Sequence, residues 1–229
     1  RSHEYTIMDR NVGATTSTLG LVTTQGLQYQ FGRKDPFTTS LDYDEEVAVF
    51  LRNVRSDSLP HLFSYEEPLT IAQAIGKPDV FIHRMNLSGG KWCETSEMKY
   101  LWGNPEGQVE YFPSLTVKTI YDPCPIGYKV PPVDALILKM KSYSQYEHGG
   151  IYYAGEEGDN TKLINMPAVH SAYYAYGTSI AYWTSSDFGK PNSTFEWGEF
   201  GVMHTYYPGS YTLRYNAFAR PGSIRCVKE

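Results

Sequence analysis

Three cysteines, at positions 93, 124 and 226, are the most chemically versatile side chains of this 229-residue sequence. Their odd number makes one disulfide and one remaining thiol the simplest arrangement, which would place the protein in an oxidising compartment. A bond between Cys124 and Cys226 would close a loop of about a hundred residues and stabilise the fold by roughly 4–5 kcal/mol on chain-entropy grounds. The alternative, a nucleophilic Cys124, needs an activating base, and no His or Lys stands next to it in the sequence. A structural role for Cys124 is therefore favoured, with Cys93 as a buried free thiol.

The sequence contains no motif that predicts a metal or cofactor site. There is no CxxC, Cys-His cluster or HExxH for zinc, and no GxSxG, GxxxxGK[ST] or GxGxxG. The acidic segments DYDEE (42–46) and GEEGDN (155–160) could hold calcium through oxygen ligands. DYDEE lacks the glycine of an EF-hand loop, however, and solvated acidic turns are the commoner role for such segments. We therefore predict no cofactor and no enzymatic activity, although a Ser-His-Asp arrangement stays open because its members need not be neighbours in sequence.

Tyrosine is the other informative residue type, with 20 tyrosines against 10 phenylalanines. The segments 172–179 and 204–216 combine Tyr with Ser, Gly and Asn, the mixture that antibody-type binding loops use for contact area and adaptable hydrogen bonds. Aromatic rings can also stack on sugars, and Trp197 and Tyr206 are candidates for that contact. The structural alternative is that many of these tyrosines line a sheet with their hydroxyls at its edge. The predicted ligand-binding residues are Trp197, His204, Tyr206, Tyr207, Tyr211, Tyr215, Tyr174 and Tyr176.

Charge and hydropathy exclude two classes of partner. The formal net charge of −5 provides no basic surplus for nucleic acid. No apolar run reaches the 18 or more residues that a spanning helix needs, which argues against direct membrane insertion. The sequence opens on polar residues without a signal peptide, so we expect an export signal outside it, in a longer protein of which this is the C-terminal part.

Turn residues punctuate the whole sequence and favour short strands over long helices, since there are 20 glycines and 14 prolines. Short helices are predicted at 66–78, with Pro68 in the first turn, and at 131–143, opened by Pro132. A strand with alternating apolar residues is predicted within 26–36. Four more strands are predicted at 179–188, 194–205, 210–219 and 222–229. The fold class is therefore α+β, a twisted antiparallel sheet with two short helices and long loops.

Five blocks of the sequence resemble one known family. They are MDRNVGATT (8–16), GLQYQFGRKDPF (26–37), KTIYDPCPIGYKVP (118–131), AYWTSS (181–186) and SIRCVKE (223–229). In content and order they are similar to the Fibrobacter succinogenes major paralogous domain of exported Bacteroidetes proteins. The resemblance implies a single C-type-lectin-like domain over residues 1–229, with a family-typical insertion at about 40–118. By the same resemblance, the cysteine near a helix start bonds to one in the last strand, which pairs Cys124 with Cys226.

The resemblance also implies a function at the outer surface. The expected protein is a non-enzymatic adhesin, on a surface lipoprotein or at a pilus tip, that binds an unknown protein or glycan through Tyr/Ser-rich C-terminal loops. The EPN, QPD and WND motifs of calcium-dependent sugar lectins are absent. Two alternatives remain, a carbohydrate-binding module of a glycan-uptake system and a structural subunit that contacts other pilus subunits. The Tyr-rich stretch ahead of the last strand also resembles proteins diversified by retroelements, a hypothesis that comparison of the gene region for 195–222 with a template copy would test.

Overall fold

The computed structural model describes residues 5–17, 26–36, 62–64, 69–78, 81–83, 92–93, 100–103, 117–132, 135, 144–147, 150–153, 164–167, 182–187, 200–207, 210–217 and 221–229. These ranges contain one α-helix, α1 (Ile71–Ile75), and twelve strands. The strands are β1 (Gln28–Gln30), β2 (Leu62–Ser64), β3 (Phe81–His83), β4 (Tyr128–Lys129), β5 (Ser144–Glu147), β6 (Gly150–Tyr153), β7 (Ile164–Pro167), β8 (Tyr182–Asp187), β9 (Phe200–Tyr207), β10 (Ser210–Ala217), β11 (Pro221–Ser223) and β12 (Val227–Lys228).

The largest sheet has five strands in the order β1-β11-β8-β9-β10. Its pairings are antiparallel except for β11 with β8, which run parallel. Three smaller sheets join β4 with β12, β2 with β3, and β5 with β6 and β7. The pair β2–β3 is also parallel. The five-stranded sheet therefore departs from the predicted antiparallel arrangement at the pair of β11 with β8, because alternation along one strand carries no information about the direction of its neighbour.

Helix α1 begins later than the sequence predicted. Thr70 is its N-cap: the Gln73 N–H donates to Thr70 Oγ1 (3.2 Å), and the Thr70 N–H donates to Gln73 Oε1 (2.8 Å). This capping box satisfies two backbone donors of the first turn and fixes the start after Thr70 rather than at Pro68. Gly76 ends the helix as predicted. Of the predicted second helix, Ala135 is helical, and most of its remaining residues lie outside the described ones.

The four C-terminal strands predicted from the sequence are confirmed, with the last one divided into β11 and β12. The strands β5, β6 and β7 were not predicted. β5 (SQYE) and β6 (GIYY) lack a strict alternation of apolar and polar residues, and β7 (INMP) has only four residues and ends in a proline. None of them shows the pattern from which a half-buried strand is predicted.

An aromatic cluster forms the centre of the core. Phe31 lies 4.8 Å from Trp102 and 5.5 Å from Trp183 between ring centroids, and the two tryptophans are 6.5 Å apart. All three side chains are buried. Trp102 comes from the segment 40–118, so part of the segment expected to be an insertion packs into the common core. Among the described residues, no helix has the length and apolar character needed to cross a membrane.

Candidate functional site

The hairpin of β9 and β10 contains five of the eight predicted ligand-binding residues. His204, Tyr206 and Tyr207 lie on β9, and Tyr211 and Tyr215 lie on β10. The two strands pair over eight residues each, from Tyr207 opposite Ser210 to Phe200 opposite Ala217. The binding residues were expected in C-terminal loops, and this is corrected for Tyr206 and Tyr207, which lie on β9. His204, Tyr211 and Tyr215 lie within the strands predicted at 194–205 and 210–219. The other three, Trp197, Tyr174 and Tyr176, lie outside the described residues.

The register divides these five residues between the two faces of the hairpin. Tyr206 lies opposite Tyr211, His204 opposite Leu213, and Val202 opposite Tyr215. Since successive residues of a strand alternate between faces and paired residues share a face, four of the five positions belong to one side. We call this side the tyrosine face, defined by positions 204, 206, 211 and 215. Tyr207 belongs to the opposite face.

The pairing of β8 with β9 shows which face of the hairpin lies on the side of the aromatic cluster. Tyr182 lies opposite His204, and Trp183 lies opposite Met203. Tyr182 and Trp183 are both buried. Trp183 belongs to the aromatic cluster, so Met203 occupies the face of the sheet that carries this cluster. The tyrosine face is therefore on the other side of the sheet, the side of Tyr182.

A buried polar network lies on the Tyr182 side. The Asn11 amide donates to the Tyr182 hydroxyl (2.9 Å), and Arg225 Nε donates to Asn11 Oδ1 (2.9 Å). Burial raises the pKa of Tyr182 to about 12, against smaller opposing effects of Arg225 and Asn11. The hydroxyl is therefore protonated at neutral pH. The network connects the first block of the sequence, β8 and the C-terminal segment through buried side-chain hydrogen bonds on this side of the sheet.

Sequence reasoning did not single out Asn11 and Arg225. They lie 214 residues apart, and no local pattern predicts that they meet. A signal was present, because Asn11 belongs to MDRNVGATT and Arg225 to SIRCVKE, two of the blocks that carry the family resemblance.

The Cys124–Cys226 disulfide is present, as the family resemblance implied, with a Cα–Cα distance of 5.9 Å and a separation of 102 residues. It joins the 118–130 loop to the last part of the chain, next to the pairing of β4 with β12. Cys93 is buried and does not take part in the disulfide, as expected. Cys124 therefore has an architectural role.

Asp122 organises the loop that carries Cys124. Its carboxylate accepts the Cys124 N–H (2.7 Å) and the Val130 N–H (2.8 Å). Lys118 Nζ lies 3.4 Å from the same carboxylate and donates to the Tyr128 carbonyl (2.5 Å). Burial raises the pKa of Asp122, while the two N–H bonds and Lys118 oppose this shift. Both oxygens of the carboxylate act as backbone acceptors, so the residue holds the shape of the loop.

Three buried tryptophans donate to carbonyls of β1 and the turn after it. Trp183 Nε1 donates to Tyr29 O (3.0 Å), and Trp92 Nε1 donates to Phe31 O (2.7 Å). Trp102 Nε1 donates to the carbonyl of Arg33 (3.3 Å). Buried carbonyls need such partners, and here every second carbonyl from residue 29 to 33 has an indole donor.

Side chains of the same segment act as further backbone partners. The Gln30 amide donates to Ile82 O (2.8 Å) and accepts the Ile82 N–H (3.1 Å), as a neighbouring strand would. Arg33 donates to Gln30 Oε1 (2.9 Å) and to Lys77 O beyond the end of α1 (2.8 Å). We call residues 28–33 with these partners the covered edge of the five-stranded sheet.

The described residues contain no group of three or more His, Cys, Asp or Glu side chains that could hold a metal ion. The two acidic segments considered for calcium, 42–46 and 155–160, lie outside the described residues.

Comparisons of this chain with protein-family models, with curated proteins and with solved structures found no match.

Proposed function

We propose that this chain is a non-enzymatic recognition domain, an exported adhesin with a C-type-lectin-like fold at the bacterial surface or on a fimbrium. Its ligand is a protein or a glycan, bound through the hairpin of β9 and β10. Two features support the proposal at the level of the whole chain. The five blocks that resemble the exported family occur in the family order, and the Cys124–Cys226 disulfide suits an oxidising compartment.

The observation that carries the proposal is the register of the hairpin, which assigns His204, Tyr206, Tyr211 and Tyr215 to one face. Tyrosines contribute large contact areas at little cost in rotamer entropy, and binding hot spots are enriched in them. The opposite face is the one that carries the aromatic cluster. The tyrosine face is therefore the side of the hairpin that does not carry the aromatic cluster, and the proposal takes it as the binding side.

The hydrogen-bonded network around Tyr182, on the same side of the sheet as the tyrosine face, favours binding by a preorganised surface. Tyr182 is buried at the register position next to His204, and Asn11 and Arg225 hold it in a hydrogen-bonded network. A surface that is already rigid loses less conformational entropy on binding than a mobile loop.

The test compares two adjacent tyrosines on opposite faces. The labelled chain is applied to a printed array of glycans and extracellular matrix proteins, alongside Tyr206→Ala and its matched control Tyr207→Ala. We expect Tyr206→Ala to weaken binding at least about tenfold, the effect of a hot-spot residue, and Tyr207→Ala to weaken it less than about threefold. Circular dichroism and melting temperature verify that both variants fold.

Two results would contradict the proposal. One is that the unaltered chain binds nothing on the array, and the other is that the two variants lose binding equally. Binding confined to glycans, and abolished by Trp197→Ala, would favour the carbohydrate-binding module over a protein-directed adhesin.

A further inference from the structure

The outer edge of β10 has the properties of a pairing surface. Among the described strands, β10 is the last of the five-stranded sheet and pairs only with β9. In an antiparallel pair, every second residue directs its backbone N–H and C=O away from its partner. An edge strand of eight residues therefore presents a row of hydrogen-bonding groups that another strand can use.

Proteins usually protect such an edge with short strands, prolines, clustered charges or bulges. Strand β10 has no proline, and Arg214 is its one charged residue. Its pairing with β9 is continuous over eight positions, without a bulge. At the covered edge, on the opposite side of the same sheet, β1 has only three residues. Indole and amide side chains form hydrogen bonds with the backbone of β1 and of the turn that follows it.

We propose that the open edge, the outer side of β10, pairs with β10 of a second copy of this chain and forms a symmetric antiparallel dimer. Two antiparallel strands in one continuous sheet are related by a two-fold axis normal to the sheet, and this axis preserves the faces. Residues that lie opposite each other across the dimer must therefore share a face. Within one strand such residues are an even number of positions apart, so the axis passes through one residue, which lies opposite the same residue of the second copy.

The sequence of β10 selects the register. With Leu213 at the axis, seven residues of each copy pair, and Tyr211 of each copy lies opposite Tyr215 of the other. In this register Arg214 lies opposite Thr212. Aromatic pairs directly opposite each other on neighbouring strands stabilise a sheet.

The two neighbouring registers are worse. An axis at Arg214 places two guanidinium groups directly opposite each other, which is destabilising. An axis at Thr212 leaves only residues 210–214 paired within the strand. The strand is therefore self-complementary in one arrangement, and this is the reason for choosing a second copy as the occupant.

The dimer would have ten strands in one sheet, with the tyrosine faces of both copies on the same side. A two-fold dimer closes on itself and does not propagate into a fibre. Two equivalent binding faces side by side would raise the avidity for a multivalent ligand. The dimer does not depend on ligand binding, so the experiments that test the dimer do not test the proposed function.

The first test is the oligomeric state in solution. Sedimentation equilibrium of the full chain from about 1 µM to about 1 mM should show a monomer–dimer equilibrium. Leu213→Lys places two ammonium groups together at the axis and should raise the dimer Kd at least about tenfold, while Arg214→Lys keeps the charge pattern and should change it less than about threefold. A chain that stays monomeric at every concentration would overturn the proposal.

The second test determines the register by cross-linking in a Cys93→Ala background. Directly opposite Cα atoms lie about 4.5–5.5 Å apart, within the span of a disulfide. Leu213→Cys should therefore give an oxidised dimer under mild oxidant. Thr212→Cys is the matched control, because its two copies are out of register and roughly 8 Å apart, too far for a disulfide.

Equal cross-linking of both cysteine variants would reject the register and with it the symmetric dimer. Hydrogen exchange gives a further criterion. The amides of β10 should become more protected as the concentration of the chain rises, whereas strong protection that is independent of concentration would show that the edge is covered within one chain and would overturn the proposal.

Discussion

The two edges of the five-stranded sheet are built in opposite ways. At the covered edge, β1 has three residues, and three indoles donate to carbonyls of β1 and of the turn after it, over residues 29–33. At the open edge, β10 has eight residues, and its described partner is β9 alone. At the covered edge, side chains from distant parts of the sequence form hydrogen bonds with the backbone. At the open edge, β9 is the only described strand that pairs with β10.

The difference extends to the range of the contacts. At the covered edge, Trp183 bonds to Tyr29 over a separation of 154 residues, and Trp102 bonds to Arg33 over 69. Pairs in the hairpin of β9 and β10 are separated by 3 residues at Tyr207–Ser210 and by 17 at Phe200–Ala217, since 210 − 207 = 3 and 217 − 200 = 17. Long-range contacts at one side hold the fold together, and a local hairpin at the other side is available for recognition. Stability and binding should therefore respond to different substitutions.

Loss of the disulfide should have the largest effect on stability. In the chain-entropy treatment, opening a loop of 102 residues by replacing Cys124 and Cys226 with alanine lowers the free energy of unfolding by about 4–5 kcal/mol. Urea unfolding measures this loss. Cys93→Ala is the control, since Cys93 is buried but closes no loop, and it should cost only about 1 kcal/mol. Equal losses in the two proteins would show that the cross-link itself does not stabilise the fold.

Trp183→Ala should rank next. It removes a buried ring from the aromatic cluster and the donor to Tyr29 O, which together should lower the free energy of unfolding by about 3–5 kcal/mol. Trp183→Phe retains a ring and loses the N–H, so about 1–3 kcal/mol should remain for the unpaired carbonyl.

The control for Trp183 is an exposed side chain. Ile126 is 99% exposed, so Ile126→Ala should change the free energy of unfolding by less than about 0.5 kcal/mol, the usual range for a substitution away from core and caps. A loss at Ile126 as large as that at Trp183 would show that the effect is not specific to the aromatic cluster.

Local features of the structure could be predicted from the sequence, whereas the long-range contacts of the covered edge could not. The strand containing Tyr29 and the four C-terminal strands are visible because alternation and turn residues are local signals. The covered edge was not predictable, because the contacts of Trp92, Trp102 and Trp183 with β1 and its turn join residues without any shared pattern. The Cys124–Cys226 bond was implied through the family resemblance. The assignment of Tyr207 to the opposite face needed the register, which the composition of a Tyr-rich segment does not contain.

Alkaline pH should produce the smallest effect, and it acts where the two regions meet. Burial raises the pKa of Tyr182 and of Tyr29 to about 12, from an ordinary value of 10.0. The folded protein holds these two protons more tightly than the unfolded chain does. Their contribution to stability is therefore complete below pH 10.0 and is lost as the pH rises through about 12. Each tyrosine should account for up to roughly 2–3 kcal/mol of this loss.

Tyrosine-to-phenylalanine variants separate this effect from general alkaline denaturation. Urea unfolding at about pH 8, 10 and 11.5 should show a shallower decline for Tyr182→Phe than for the unaltered protein, and a shallower one again for the double variant with Tyr29→Phe. Tyr182→Phe also loses the bond from Asn11, so it should start from a lower stability at pH 8 and converge with the unaltered protein as the pH rises. Parallel curves over the whole range would mean that these hydroxyls are not the source of the decline. The loss of stability at high pH would then have a source other than Tyr182 and Tyr29.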